Sequence, residues 1–184
     1  GALGERVALG SPDARAATRI FGALRTVAAP SGAPPTRFPV VDHHLPAALA
    51  AADEAPAAVA RHAAALEALS PQLIWRRRAN AEDDPRFTTG HANSTIIGPG
   101  GIEDRSDVWV GISLLAPGVV YPDHRHPPEE IYLVMSEGDW RQSNDSWHTP
   151  GQGGIVYNPP DIVHAMRAGP RAPLLATWCL WAGE

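Results

Sequence analysis

The sequence predicts a mainly β fold, a barrel of short antiparallel strands, with an α-helical N-terminal extension. Three observations lead there. Up to about residue 86 the chain is alanine-rich with apolar residues at helical spacing, and from Phe87 onward that periodicity stops. In its place come short β-branched and aromatic runs over 93–97, 108–115, 130–135, 154–157 and 174–181. Turn signals such as Gly98-Pro99-Gly100-Gly101, Pro117-Gly118 and Ser143-Asn144-Asp145 separate them, the punctuation of a sandwich or barrel. The expected organisation is an extension over 1–86 packed on a barrel over 87–184. At 184 residues the chain is long enough to bury one sizeable core.

Taken in order, residues 1–10 show no pattern and read as a loose terminus. Ser11-Pro12-Asp13 is a helix start: a capping hydroxyl, proline at the first helical position and an acid in the first turn. Ile20, Phe21, Leu24 and Val27 continue it as one apolar stripe that should end before Pro30. A second helical region is expected over 45–69, interrupted near Pro56, with a new helix starting by Asp53 and Glu54. The triplet Arg76, Arg77 and Arg78 marks its exit and reads as a solvated helix end or a carboxylate partner, with an anionic-ligand role as the lesser alternative.

Composition removes several function classes. A net charge of -5 is wrong for a nucleic-acid binder, which needs a basic face to neutralise phosphates. All 15 basic residues are arginine, so Schiff-base catalysis and a phosphate-loop lysine are absent. The single cysteine, Cys179, lies in an apolar run and is expected to be buried; it can form neither an internal disulfide nor a thiolate cluster. No run approaches the ~20 apolar residues of a membrane helix. No secretory signal is visible, and the expected location is cytoplasmic.

The chemistry concentrates between Gly118 and Tyr132, G-V-V-Y-P-D-H-R-H-P-P-E-E-I-Y. His124 and His126 share strand parity and so project from one face, and Glu130 and Tyr132 keep that parity beyond Pro127-Pro128. A further imidazole, His164, follows the glycine-led stretch G-G-I-V-Y-N-P-P-D-I-V-H, placed to open a neighbouring strand. Imidazoles with one carboxylate suit a divalent transition metal: Zn²⁺, Fe²⁺ or Mn²⁺ first, with Ni²⁺ and Co²⁺ compatible. The expected ligands are His124, His126, Glu130 and His164.

These residues carry a resemblance. G-x5-H-x-H-x3-E from Gly118 to Glu130 resembles the first cupin motif, and G-x5-P-x-D-x2-H from Gly153 to His164 resembles the second. Asp161 stands where cupins usually have glycine, and Ala168 where an asparagine often follows the histidine. The narrower run H-R-H-P-P-E-E-I-Y, with Tyr121 just upstream, is similar to the cupin lyases of dimethylsulfoniopropionate, the DddL and DddQ group. That resemblance extends from Thr88 to Trp181. It implies a cupin (double-stranded β-helix) barrel and a metal-dependent carbon–sulfur lyase yielding dimethyl sulfide and acrylate, with Tyr132 as the base.

The chemistry is consistent with that implication. One base suffices, because the sulfide leaves neutral. Bringing a tyrosine from its usual pKa of ~10 to ~7 corresponds to roughly 4 kcal/mol, and a nearby dication favours phenolate. A small sulfonium carboxylate should meet aromatic faces, each cation–π contact contributing ~0.5–2 kcal/mol. Of Tyr121, Tyr157, Trp109, Trp178 and Trp181, the expected substrate contacts are Tyr121 and Trp178. Glu129 has the opposite parity and is expected in solvent, while His43, His44, His62, His91 and His148 are expected as surface or loop residues; Trp140 and Trp147 should close the barrel end. Neither nucleic acid nor membrane is an expected partner, and a homodimer through the helices is compatible with the sequence. Two other readings use the same ligands: an Fe²⁺ dioxygenase, which would consume oxygen, and a non-catalytic binding cupin.

Overall fold

The structure, a computed structural model, describes residues 11–53, 55–78 and 84–183. The expected loose terminus and Glu54 lie outside them. Three helices come first: α1 (Pro12–Ala23), α2 (Pro39–Asp53) and α3 (Ala57–Leu69). Ser11 caps α1, its hydroxyl accepting from the Ala14 amide at 3.3 Å. Ala16, Ala17 and Ile20 form its buried face. Val27 does not extend the stripe: the helix has ended at Ala23, and Val27 is 79% exposed. The second helix begins at Pro39, earlier than the sequence suggests, and accommodates Pro46 internally.

After the two-residue strand β1 (Trp75–Arg76) and the short helix α4 (Pro85–Gly90), eight strands follow. They are β2 (His91–Ile97), β3 (Val108–Leu115), β4 (Val120–His124), β5 (Glu129–Val134), β6 (Gly138–Gln142), β7 (Ile155–Asn158), β8 (His164–Ala168) and β9 (Leu174–Trp181). A six-stranded sheet has the order β1-β2-β3-β9-β5-β7, and a three-stranded sheet has the order β4-β8-β6. Every strand pairing is antiparallel. The chain crosses repeatedly between the sheets, which close on each other as a barrel.

Period-two alternation divides the large sheet into two buried faces. Ile112, Leu114, Ile131, Leu133, Leu175 and Cys179 join the helices in one core cluster. Leu115, Tyr132, Val134, Leu174 and Ala176 join Tyr121, Trp140 and Met166 of the small sheet in a second, inside the barrel. Cys179 is therefore buried, and burial pushes its thiol up to about 12.

That sandwiching corrects the expectation for Glu129. Its parity is indeed opposite to that of Glu130, but the face it joins is covered by α1 rather than by water. Glu129 is 7% exposed, paired with Arg19 of α1 and accepting from the Tyr157 hydroxyl at 2.9 Å. Tyr157 and Trp181 pack against the same helix-side core. Two histidines expected at the surface are also structural. His91 is fully buried and stacked on Phe87 at 3.8 Å. His62 of α3 meets the Thr177 hydroxyl of β9 at 2.8 Å.

Candidate metal centre

The small sheet and β5 bring the sequence-separated ligands together. His124 ends β4 directly opposite His164, which opens β8. A register shift between Tyr121 and His124 turns the end of β4, and His126 follows in the connecting loop. The Asp161 amide donates to the His126 carbonyl at 3.0 Å, tying the two motif loops together. Asp161 has φ 59, the left-handed region that glycine favours, which explains why an aspartate can occupy a glycine position there.

One ligand atom each from His126, Glu130 and His164 lies within 4.8 Å of the others, a group that could hold a metal ion. Glu130 Oε2 is 3.4 Å from His126 Nε2 and 3.2 Å from His164 Nε2. His124 is adjacent but outside this trio, its ring 4.0 Å from the His164 ring and 6.3 Å from the His126 ring, centre to centre.

All three imidazoles are oriented in the same way. Nδ1 of His124 meets the Pro122 carbonyl at 2.9 Å, Nδ1 of His126 the Pro128 carbonyl at 2.9 Å, and Nδ1 of His164 the Ile162 carbonyl at 3.0 Å. A carbonyl only accepts, so each Nδ1 carries the hydrogen and each Nε2 presents a lone pair. The Nε2 atoms of His126 and His164 are buried and make no aligned hydrogen bond. Two lone pairs facing a carboxylate oxygen repel unless a proton or a metal cation lies among them, so this donor set fits a divalent metal.

Behind Glu130 runs a chain of amides that sequence reading missed. Asn158 Nδ2 donates to Glu130 Oε2 at 2.8 Å, and Gln142 Nε2 donates to Asn158 Oδ1 at 2.7 Å. Asn158 is fully buried and pairs directly with Glu130 across β5 and β7. Its only sequence signal is its place before Pro159-Pro160 in the second motif.

Charge states follow from these surroundings. Burial tends to raise Glu130, but the contacts and charges of His126 and His164 outweigh it and hold the carboxyl far below its usual range. Burial tends to lower His126, while Glu130 more than compensates and raises it. His124 is lowered to about 3, first by burial and then by His164, so it is a neutral imidazole. Tyr132 is raised well above its ordinary value, by burial and then by Glu130.

A cavity of about 290 Å³ opens beside the trio. Its lining includes His124, His126, Glu130 and Tyr132, and both expected substrate contacts, Tyr121 and Trp178. Trp178 fits because it lies across from Gly111 of β3, where a Cβ would come within 2.2 Å of the indole. Trp109 also lines the cavity, as does Arg78, from the triplet expected as a solvated helix end or a carboxylate partner.

The family model for dimethylsulfoniopropionate lyase matches residues 13–176. The chain belongs to that family. Among its relatives is a DddL protein of Cereibacter sphaeroides assigned as a dimethylsulfoniopropionate lyase, 28% identical over 121 residues, 65% of this chain and 50% of that one. The dimethylsulfoniopropionate lyase DddQ of Ruegeria pomeroyi is 31% identical over 90 residues, 48% of this chain and 44% of the relative. The chain thus spans about half the length of the curated relatives it matches. The crystal structure of Ruegeria pomeroyi DddQ superposes with a TM-score of 0.63 at 24% identity, covering 83% of this chain and 76% of that chain. A structure reported with the lyases RdDddP and RnDddQII gives a TM-score of 0.70 at 24% identity, covering 82% and 76%. These superpositions bear on the fold, the cupin barrel that the two motifs imply.

Proposed function

We propose that this family member is a metal-dependent carbon–sulfur lyase that cleaves dimethylsulfoniopropionate to dimethyl sulfide and acrylate. The observation that carries the proposal is the convergence of two unpartnered Nε2 atoms on Glu130, at the wall of a cavity that Tyr132 also lines. His126, Glu130 and His164 would hold the ion, with His124, neutral and in ring contact with His164, as the fourth ligand. When bound, a divalent cation supplies Lewis-acid charge that polarises a substrate carboxylate and favours the phenolate of Tyr132. Which metal serves is left to measurement among Zn²⁺, Fe²⁺, Mn²⁺, Ni²⁺ and Co²⁺. The division into a helical extension over 1–86 and a barrel over 87–184 belongs to the same proposal.

The remaining steps fall to the chain's own side chains. Tyr121 and Trp178, with Trp109, offer ring faces to the sulfonium and exclude water from it. Tyr132 takes the proton from the carbon next to the carboxylate. The C–H electron pair becomes the new C=C bond, the C–S bond breaks, and dimethyl sulfide leaves with its electron pair. Tyr132 then returns the proton to solvent. Glu130 is adjacent to this base and is held in place by Asn158, so its charge opposes phenolate formation until the cation offsets it. Tyr132→Phe tests the assignment: turnover should fall at least about 1,000-fold with metal content unchanged. Retained release of dimethyl sulfide would remove Tyr132 as the base.

A further inference from the structure

The arginine triplet at 76–78 is divided among three tasks. Arg76 donates to the Gly100 carbonyl at 2.9 Å, and the Arg77 guanidinium lies over the Phe38 ring at 4.7 Å. Arg78 alone of the three lines the cavity beside the metal ligands. It is half-buried, and no ion pair joins it to a carboxylate among the described residues. Its guanidinium lies 5.5 Å from the centre of the Tyr121 ring, and that ring is 4.7 Å from the His124 ring.

The backbone at Arg78 is held in place. Its amide donates to His91 Nε2 at 2.9 Å, and His91 Nδ1 meets the Phe87 carbonyl at 2.5 Å, which fixes the tautomer that can accept from Arg78. His91 is itself fully buried. A planar group with five donors, set at a cavity wall and paired with no carboxylate among the described residues, suits a carboxylate ligand. Charge points the same way. Among the described lining residues Glu130 is the one carboxylate, against the two guanidinium groups of Arg78 and the exposed Arg125. The cavity therefore selects for an anionic group.

We propose that Arg78 is a substrate-binding residue that grips the carboxylate of a small acid and determines specificity for acids over their neutral analogues. The assignment rests on the lyase reading for the rest of the substrate. A bidentate grip on one carboxylate would fix its direction, leaving the cationic end to the aromatic walls. The sequence offers an anionic-ligand role for the triplet only as a lesser alternative and does not single out Arg78.

The test measures dimethyl sulfide release by metal-loaded wild type, Arg78→Met and Arg78→Lys, with propionate and propionamide as competing ligands and metal content as a control. In Arg78→Met the KM should rise about 10- to 100-fold, with kcat changing less. Propionate should weaken by a similar factor while propionamide stays within about twofold, and Arg78→Lys should lie between. A KM within about twofold of wild type, or equal weakening of both ligands, would overturn the assignment. If Arg78→Met does not fold, Arg78→Lys carries the test, since it keeps the charge and loses the planar fork. If wild type releases no dimethyl sulfide, the lyase reading is lost and calorimetry decides the anchor separately. Propionate binding lost in the variant then keeps the anchor, and equal binding removes it.

Discussion

At the scale of single residues, the centre is set by which nitrogen of each imidazole carries hydrogen. Backbone carbonyls two residues away hold Nδ1–H in His124, His126 and His164, so under the proposed function Nε2 is the nitrogen left for an ion before any arrives. Without metal, His126 holds its proton to a higher pH than an ordinary histidine, and Glu130 stays charged to a lower pH than an ordinary acid. Metal must displace that proton. Affinity should therefore already be falling as pH drops toward the ordinary histidine value of ~6.5, and loading near that pH should release about one proton per ion. Calorimetry in two buffers of different ionisation enthalpy measures this; heats independent of buffer would contradict it. Tyr132 shows the opposite sign. Burial and Glu130 keep it a neutral phenol in metal-free protein. Burial raises Tyr121 and Tyr157 as well, so a phenolate absorbance titration of metal-free protein should show three tyrosines that resist ionisation beyond pH ~10. Metal should bring one of them down, and that metal-sensitive component should be missing from Tyr132→Phe.

At the scale of elements, β5 is the strand on which both halves of the protein depend. Its even residues, Glu130, Tyr132 and Val134, face the barrel interior, while Glu129, Ile131 and Leu133 face the helices. Arg19→Ala should unfasten α1 from Glu129 and cost about 1–2 kcal/mol in chemical denaturation, leaving metal content intact. The cost stays modest because the arginine side chain is 44% exposed. On β3, Gly111→Ala would bring a Cβ within 2.4 Å of the Ser94 carbonyl oxygen as well as against Trp178. A loss of about 1–3 kcal/mol and a weakened substrate KM should follow; unchanged values would show that Trp178 can move without consequence.

The same elements show what the sequence made legible. Bounds for β3 and β9 agree with the expected runs, because a sheet buried on both faces reads as an unbroken apolar stretch. The strand β6, G-D-W-R-Q, carries no such signal: only Trp140 is a large buried apolar side chain, and Arg141 reaches out to Asp123. The His and Glu residues of the candidate centre stand out in the two motifs, although His126 lies in the loop after β4 and does not share a strand face with His124. The partners of Glu129, the buried amide of Asn158 and the aim of Arg78 depend on which surfaces meet, and a one-dimensional pattern does not encode that.

At the scale of the whole molecule, a helical layer closes one face of the six-stranded sheet, and the opposite face, with the small sheet, encloses the candidate metal ligands and cavity. No helix among the described residues is long and apolar enough to cross a membrane. The account then depends on the ion and the phenol acting together within that barrel. The direct measurement uses protein stripped with chelator, reloaded with one divalent metal and given dimethylsulfoniopropionate without oxygen. Equimolar dimethyl sulfide and acrylate should appear only after reloading, and neither should form in reloaded Tyr132→Phe. Turnover that survives chelation, or that requires oxygen, would contradict the account.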